Sequence, residues 1–275
     1  MDIGVCVSHN SNTIDQSLKK ITEMGFDKCQ LISWDRTNWN DREADKICEA
    51  RLKYDVEITA FWCGWRGGCE WNFYEGQETL GLIPLTYRYV RMTDLISGSD
   101  FAKKLNIEDV ITHVGFIPEN PHDPIYTGLI PVLRQIVQHY KENGQYFLFE
   151  TGQETPVTLL RAIDDIGLKN IGLNLDPANL ILYGKANPVD SLDVFGKYVR
   201  AVHAKDGLYP VNGRELGHET ALGEGKVNFP ALLQKLHDLG YNRSVTIERE
   251  IEGERQIHDI LKGRTYLQNI INNLE

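Results

Sequence analysis

The chain has 275 residues, of which 29 are basic and 39 acidic, giving a formal net charge of −10 at pH 7. Apolar residues make up 41% and charged residues 25%, the balance of a folded globular protein. Binding to nucleic acid draws on clustered Lys and Arg, and this acidic sequence has no basic tract. It also has no apolar run near the ~18 residues that a membrane-spanning helix needs. We therefore expect neither a nucleic-acid partner nor a membrane partner.

The first residues and the cysteines indicate the compartment. Met1 to Gly4 lead directly into an apolar, β-branched run rather than into a charged leader, so we predict no secretory signal. The five cysteines are an odd number without paired spacing, which favours reduced thiols over a disulfide framework. Both features favour a cytoplasmic protein.

Eight short runs rich in apolar and β-branched residues recur along the chain, and a helical pattern follows each of them. Most of the runs are apolar throughout rather than alternating, as expected for parallel strands that are covered on both faces. The predicted strands are residues 3–7, 29–33, 57–62, 110–114, 146–150, 171–176, 199–204 and 245–248.

The helical patterns between these runs are amphipathic. Ile14, Leu18 and Ile21, for example, recur at spacings of four and three. Eight strand–helix units of about 34 residues suit a (β/α)8 barrel, which takes ~250 residues. A doubly wound sheet would show a glycine-rich turn after its first strand, but residues 7–12 contain no glycine. We predict an α/β protein with a single (β/α)8 TIM barrel domain over residues 1–275.

Ionisable or metal-binding residues stand at the ends of the last four predicted strands, namely Glu150, Asp176, His203 and Glu248. In a (β/α)8 barrel the chemistry lies at the carboxyl ends of the strands, where these side chains would converge. Three carboxylates brought together repel one another, and a divalent cation is the simplest compensation. One imidazole nitrogen with three carboxylate oxygens suits Mn, Mg, Co or Zn better than the sulfur-rich donor sets of structural zinc.

A structural role is the alternative for these groups, because a single carboxylate at a strand end is more often salt-bridged than bound to a metal. Arg200, Lys205 and Arg249 are available in the sequence for such pairing. Four coincident groups on consecutive strands are harder to explain in that way, so we favour a metal site.

Six short motifs follow one another from Thr112 onward. They read Thr-His-Val-Gly at 112–115, Glu-Thr-Gly at 150–152, Asp-Pro-Ala-Asn-Leu at 176–180, His-Ala-Lys-Asp at 203–206, Leu-Gly-Glu-Gly-Lys-Val-Asn-Phe at 222–229 and Ile-Glu at 247–248. In this order and in a barrel frame, they resemble the xylose-isomerase-like TIM-barrel superfamily of sugar isomerases and epimerases, which also includes the endonuclease IV type of enzyme. The resemblance covers nearly the whole chain and is strongest from Thr112 onward.

The resemblance implies that Glu150, Asp176, His203 and Glu248 hold one divalent cation, with manganese first among Mn, Mg, Co and Zn. In the ketose 3-epimerases of this superfamily the two glutamates are also the catalytic pair. One removes the proton beside the carbonyl and the other delivers a proton from the opposite face, while the cation stabilises the enediolate. These roles fit the reaction, because charge develops on oxygen and each face of the carbon needs its own proton carrier. The implied activity is that of a sugar isomerase or epimerase.

Within the superfamily the motifs narrow the substrate only to a ketose or a ketose phosphate. Asp176 with Asn179, the motif at 203–206 and Gly-Glu-Gly look like the phosphorylated-ketose 3-epimerases. Free-ketose 3-epimerases more often carry His where Asn179 stands, and we expect Asn179 to hydrogen-bond a sugar hydroxyl. Gly223 and Gly225 form a short turn rather than a phosphate loop, so the sequence provides no separate phosphate cradle.

Further substrate contacts are expected from His113, Trp34 and Lys205. His113 ends the fourth predicted strand, where Gly115 leaves room for close approach, and Trp34 follows the second strand as a pocket wall. The alternatives are a histidine that is only hydrogen-bonded in the barrel mouth and a tryptophan that fills the core. His9 follows the first strand in a polar turn and is either a loop residue facing solvent or a substrate contact.

Residues 63–84 are long for a connection between a strand and a helix. They contain four aromatic residues, Trp65, Trp71, Phe73 and Tyr74, and this content argues against disorder. We predict that the segment forms a lid over the barrel mouth and places at least one ring near the metal site. The same rings would suit a subunit interface, so a homo-oligomer stays open.

Three other functions compete with a ketose 3-epimerase. A keto-sugar dehydratase or a C-glycoside-cleaving lyase can use the same metal and base to form the same enediolate. A non-catalytic sugar-binding or scaffold subunit would have no evident use for two opposed groups such as Glu150 and Glu248. An endonuclease IV-like hydrolase is disfavoured, because the chain is acidic and lacks the additional ligands of a multi-zinc cluster.

Overall fold

The computed structural model describes residues 1–274, and these form a closed barrel of eight parallel strands surrounded by helices. The barrel strands are β1 (Asp2–Ser8), β2 (Lys28–Ser33), β3 (Glu57–Cys63), β4 (Asp109–Thr112), β5 (Tyr146–Glu150), β6 (Ile171–Leu175), β7 (Val199–Ala204) and β10 (Ser244–Ile247). Neighbours in the chain are neighbours in the barrel, and β10 closes the ring by pairing with β1. A two-stranded antiparallel sheet of β8 (Asp206–Leu208) and β9 (His218–Thr220) lies in the connection from β7 to β10.

The helices lie in the connections between the barrel strands, except for the last one, which follows β10. They are α1 (Ile14–Glu23), α2 (Asp41–Tyr54), α3 (Gly76–Thr79), α4 (Leu85–Lys104), α5 (Pro124–Glu142), α6 (Pro156–Ile166), α7 (Pro177–Leu182), α8 (Pro188–Phe195), α9 (Phe229–Asp238) and α10 (Glu254–Ile271). Capping residues determine where these helices begin and end. At the start of α6 the Thr155 hydroxyl accepts a hydrogen bond from the Thr158 N–H, and Gly167 ends the same helix in the left-handed conformation. In α1 the apolar stripe of Ile14, Leu18 and Ile21 is buried, as the sequence predicts.

Most of the core lies between the strands and the helices, and a second, smaller cluster lies inside the barrel. The inner cluster brings together Ala60 and Trp62 of β3, Ile111 of β4 and Leu148 of β5. Every residue of β4 and β6 is buried, as expected for parallel strands that are covered on both faces.

The predicted single (β/α)8 barrel is confirmed, with small shifts at three strand ends. Val114, Asp176 and Glu248 lie just beyond β4, β6 and β10 rather than within them. Asp176 leaves its strand because its carboxylate caps α7 by accepting the Asn179 N–H. Within residues 1–274, the structure shows no helix of the length and hydropathy that a membrane span requires.

Candidate metal centre

Four side chains converge at the carboxyl end of the barrel. Glu150 is the last residue of β5, His203 lies near the end of β7, and Asp176 and Glu248 directly follow β6 and β10. One potential ligand atom from each of the four lies within 4.8 Å of the others. The side chains of Asp176 and His203 are fully buried and that of Glu150 is 3% exposed, so these charges are held away from bulk water.

His203 is oriented by partners on both sides of its ring. Its Nε2 lies 2.7 Å from Gln30 Oε1, and the Gln30 amide group in turn donates to Asn174 Oδ1. Because a carboxamide oxygen only accepts, Nε2 carries a hydrogen and the neutral ring turns the lone pair of Nδ1 to the other side. There Nδ1 lies 3.2 Å from both Glu150 Oε1 and Glu248 Oε2.

This donor set fits a divalent cation. Asp176 Oδ2, Glu248 Oε2 and His203 Nδ1 are buried and make no hydrogen bond within the described chain, although the Lys205 ammonium forms an ion pair with Glu248 Oε2 at 3.2 Å. All of these atoms are acceptors when the imidazole is neutral, so together they need a positive charge between them. Three carboxylate oxygens and one imidazole nitrogen suit Mn, Mg, Co or Zn.

A proton is the other positive charge that the cluster can take up. Burial opposes a charge on His203, yet the surrounding negative charges, Glu248 foremost, raise its pKa well above the ordinary value. Burial would likewise raise the pKa of Glu248, but Lys205 and His203 outweigh it and lower that pKa to about 2. Glu150 and Glu248 therefore have lowered pKa values and favour the ionised form, whereas burial raises the pKa of Asp176.

A cavity of about 520 Å³ opens above the cluster, and Glu150 and Glu248 form part of its wall. The four residues expected to bind substrate also line this cavity, namely Trp34, His113, Asn179 and Lys205. The structure thus brings together all the predicted site residues, with Asp176 and His203 buried beside the two glutamates. Their roles toward a metal or a substrate stay predictions.

Two of these cavity residues are held by the centre itself. His113 Nε2 lies 3.5 Å from Glu150 Oε1, while its Nδ1 has no hydrogen-bond partner among residues 1–274. Lys205 is 3% exposed, and its ammonium group lies 3.2 Å from Glu248 Oε2 and 2.9 Å from Glu250 Oε2. The charge of Lys205 is therefore already balanced by the protein.

Aromatic rings form one wall of the cavity. Trp34 packs against Trp62 and Trp65, with centroid distances of 5.1 Å to each, and Trp71 lies 5.0 Å from the His113 ring. Trp65 and Trp71 belong to the segment 63–84, and Trp71 lines the cavity. The prediction that this segment places a ring beside the site is confirmed.

Sequence reasoning missed three groups that shape the site. Gln30 orients His203, and Trp62 donates its indole N–H to Glu150 Oε2. The fully buried Arg91 donates to backbone carbonyls of residues 66, 68, 79 and 81 and so holds the segment 63–84 in place. A polar Gln inside an otherwise apolar strand was the one signal available for Gln30.

Both expectations for His9 are wrong. His9 is buried, its Nδ1 lies 2.9 Å from Ser33 Oγ, and its Nε2 lies 3.1 Å from Glu43 Oε1. It is therefore neither in solvent nor on the cavity wall, because the turn after β1 folds under α2 and ties these elements together.

Comparisons with known proteins agree with this architecture. The family model described as xylose isomerase-like TIM barrel matches residues 18–270. The uncharacterized protein MJ1311 of Methanocaldococcus jannaschii is 27% identical, over 94% of this chain and 85% of the relative. A xylose isomerase domain protein from Planctomyces limnophilus has a similar structure, with a TM-score of 0.90, 30% identity, and coverage of 99% of this chain and 97% of that one. A D-tagatose 3-epimerase-like protein has a TM-score of 0.74 at 24% identity, over 100% of this chain and 98% of the other.

Proposed function

The chain belongs to the xylose isomerase-like TIM barrel family, and from this premise we propose that it is a divalent-metal-dependent sugar isomerase or epimerase. The reaction we propose is 3-epimerisation of a ketose or ketose phosphate through an enediolate. The observation that carries the proposal is the convergence of two glutamates, Glu150 and Glu248, on one buried acceptor cluster beneath a sugar-sized cavity.

Glu150, Asp176, His203 and Glu248 would hold the cation. When bound there, a divalent cation would polarise the substrate carbonyl and stabilise negative charge developing on its oxygen. Gln30 would keep Nδ1 of His203 directed at the site by accepting the Nε2 hydrogen. Manganese is our first choice among Mn, Mg, Co and Zn.

Glu150 and Glu248 would carry the protons. Glu150 ends β5 and Glu248 directly follows β10, which lies three strands away around the barrel, and both carboxylates line the cavity in which we place the sugar. Burial works against ionisation of Glu150, but His113 and His203 hold its pKa well below the usual range. An ionised carboxylate is the form that removes a proton from carbon. The second glutamate must first take up a proton, which it then delivers on the opposite face.

The remaining cavity residues would bind and orient the sugar. The amide of Gln153 and Nδ1 of His113 are buried against the cavity without hydrogen-bond partners in the described residues, so hydroxyl groups of a substrate can satisfy them. Asn179 is positioned beside them by its bonds to Asp176 and Thr151. The indoles of Trp34 and Trp71 would cover an apolar face of the sugar and exclude water.

The test is incubation of the metal-loaded protein with a panel of free and phosphorylated ketoses in deuterated water. Deuterium at C3 together with a new epimer is the expected result. Deuterium at C1 or C2 with an aldose product would indicate isomerisation rather than epimerisation. An eliminated product would favour the dehydratase or the lyase. Absence of exchange with every sugar would contradict the proposal and support a sugar-binding or scaffold role.

A further inference from the structure

One ammonium group lies directly against the proposed metal ligands. Lys205 follows β7 two positions after His203, and side chains two positions apart in an extended chain face the same side. The Lys205 Nζ lies 3.2 Å from Glu248 Oε2 and 3.8 Å from Asp176 Oδ2, and the side chain is 3% exposed. Among the described residues, Lys205 is the one lysine or arginine that forms an ion pair with any of the four proposed ligands.

The outer side of this ammonium group meets a carboxylate of a different kind. The Glu248 N–H donates to Ala204 O, which places the chain after β10 beside Lys205. Glu250 then lies two positions beyond Glu248, and its Oε2 is 2.9 Å from Lys205 Nζ. Because the Glu250 side chain is 61% exposed, water screens its charge. The ammonium group therefore acts mainly on the buried ligands.

The other charged groups beside Lys205 have partners elsewhere. The Asp206 carboxylate accepts the backbone N–H groups of residues 207, 223, 225 and 227. The Arg249 guanidinium lies 3.0 Å from Glu219 and donates to Asp259 at 2.9 Å. Neither of these side chains forms an ion pair with a proposed ligand, so the balance of charge at the centre depends on Lys205.

The charges at the centre can be counted for the state with a bound cation, in which ligands are deprotonated and imidazoles are neutral. The three carboxylates of Glu150, Asp176 and Glu248 then carry −3, and Lys205 contributes +1, which leaves −2. One divalent cation balances this charge. A trivalent cation would leave an excess positive charge in a buried site, where an unpaired charge is costly.

We propose that Lys205 determines the charge selectivity of the metal centre. Its ammonium group offsets one of the three ligand charges and so fits the centre to a divalent cation. The inference rests on the metal site of the proposed function and adds a specificity-determining residue to it. Lys205 is a counter-ion and not a ligand, because an ammonium group has no lone pair to offer. Its repulsion of a bound ion is proportional to the charge of that ion, so its removal favours a trivalent ion most.

The test compares Mn²⁺ with Lu³⁺, two ions of similar radius and different charge, by calorimetric titration of the chelator-treated protein. In Lys205→Met we expect the ratio of Lu³⁺ affinity to Mn²⁺ affinity to rise at least ~10-fold over the unsubstituted protein. Lys262→Met is the matched control, since it removes the same charge from an exposed pair with Glu224 outside the cavity wall. This control should leave the ratio unchanged.

Glu250→Gln provides a second arm that keeps Lys205 in place. Without the outer carboxylate, the whole ammonium charge acts on the ligands, so we expect the same ratio to fall about threefold. The exposed position of Glu250 makes this variant safe for folding even if Lys205→Met does not fold. Glu254→Gln removes the same charge at the start of α10, away from the cavity, and should leave the ratio unchanged.

The outcomes separate this inference from the proposed function. Binding of Mn²⁺ with an unchanged or lower ratio in Lys205→Met, or with an unchanged ratio in Glu250→Gln, would overturn the role of Lys205 alone. Absence of Mn²⁺ binding to the unsubstituted protein would overturn the metal centre and both proposals with it. The expected ratios without deuterium exchange in the sugar assay would support the role of Lys205 while the proposed reaction fails.

Discussion

The ring of His203 shows how single contacts determine what the centre can bind. Gln30 fixes the hydrogen on Nε2, and the Gln30 amide is itself fixed by Asn174. These hydrogen bonds leave Nδ1 as an acceptor among carboxylates. Such a cluster of acceptors is stable in the protein interior only when a cation or a proton lies among them. The Gln30 amide on β2 therefore determines which nitrogen of His203 faces the carboxylates, and so favours the binding of a cation there.

The paired-glutamate mechanism predicts the effect of removing either carboxylate. We expect Glu150→Gln and Glu248→Gln each to lower kcat by at least ~100-fold, because Gln retains the size of the side chain but cannot carry the proton. The measurement is turnover of the sugar identified in the deuterium assay.

Metal content must be measured in both glutamine variants, since an amide is a poorer ligand than a carboxylate. Glu254→Gln serves as the matched control, because it lies outside the cavity and should keep full turnover. A variant at 150 or 248 with full metal and near-normal kcat would disprove the mechanism.

The buried carboxyl group of Glu154 should make the free energy of unfolding depend on pH. This dependence does not arise from the four proposed metal ligands. Burial raises the pKa of this carboxyl from 4.5 to about 7. The folded protein then keeps a proton that the unfolded chain has lost, so the neutral carboxyl contributes stability below pH 4.5 that disappears as the pH rises to 7. A shift of this size corresponds to roughly 3 kcal/mol in the free energy of unfolding.

Glu154→Gln should remove this dependence, because the amide stays neutral at every pH. We expect the free energy of unfolding of the variant, minus that of the unsubstituted protein, to increase by roughly 3 kcal/mol between pH 4.5 and 7. Urea titrations across this range measure the difference. Parallel stability curves would show that Glu154 has an ordinary pKa.

At the scale of elements, the lid is held to the barrel by one buried side chain. The guanidinium of Arg91 on α4 donates at 2.6–2.9 Å to four carbonyls of the segment 63–84. Leu82 N–H also bonds to Val114 O beyond β4, and Gly81 adopts a positive φ of 60° where a Cβ would collide with that carbonyl. The lid is therefore a fixed wall of the cavity, and Arg91 is its main anchor.

Replacing this anchor should loosen the lid and leave the barrel folded. In Arg91→Ala we expect amide hydrogen exchange in residues 64–83 to accelerate at least ~10-fold, since each bond to a charged donor contributes about 1.5–3 kcal/mol. Arg134→Ala is the control, because Arg134 caps the end of α6 by bonding to Asp165 O and Ile166 O, away from the lid. Unchanged exchange in the lid of Arg91→Ala would contradict the anchoring role.

The sequence predicted the strands, because burial on both faces leaves an apolar pattern. It did not predict the contacts between distant residues that form only when the barrel closes. Unbroken apolar runs marked the strands to within a residue or two, and the ionisable residues that ended them proved to converge. The link from Gln30 to His203 spans 173 positions and the bonds of Arg91 span 10 to 25, so no local pattern records them. The sheet of β8 and β9 was missed for a similar reason: each strand has only three residues, and Asp206 in β8 accepts backbone N–H groups that lie 17 to 21 positions away in the sequence.

At the scale of the whole molecule, the two ends of the barrel balance charge differently. At the amino end, Asp109 is paired with Arg200 at 2.7 Å and with Arg243, so this buried carboxylate is balanced within the chain. At the carboxyl end, the buried carboxylates share Lys205 and still leave Asp176 Oδ2 and other acceptors without a hydrogen bond inside residues 1–274. The fold thus carries an electrostatic cost at the carboxyl end of the barrel that a bound cation would offset.

This imbalance predicts that the bound cation stabilises the entire domain. A ligand that binds only the folded state, at 100 times its dissociation constant, stabilises it by about 2.7 kcal/mol. For a chain of 275 residues, that free energy corresponds to a Tm increase of roughly 5 °C. Thermal unfolding after chelator treatment, and again after titration with Mn, Mg, Co or Zn, measures the increase for each metal. In Asp176→Asn the increase should be much smaller, because one ligand charge is lost while the side chain keeps its size. If neither chelator nor added metals changed the Tm of the unsubstituted protein, the four side chains would form a proton-bound cluster rather than a metal centre.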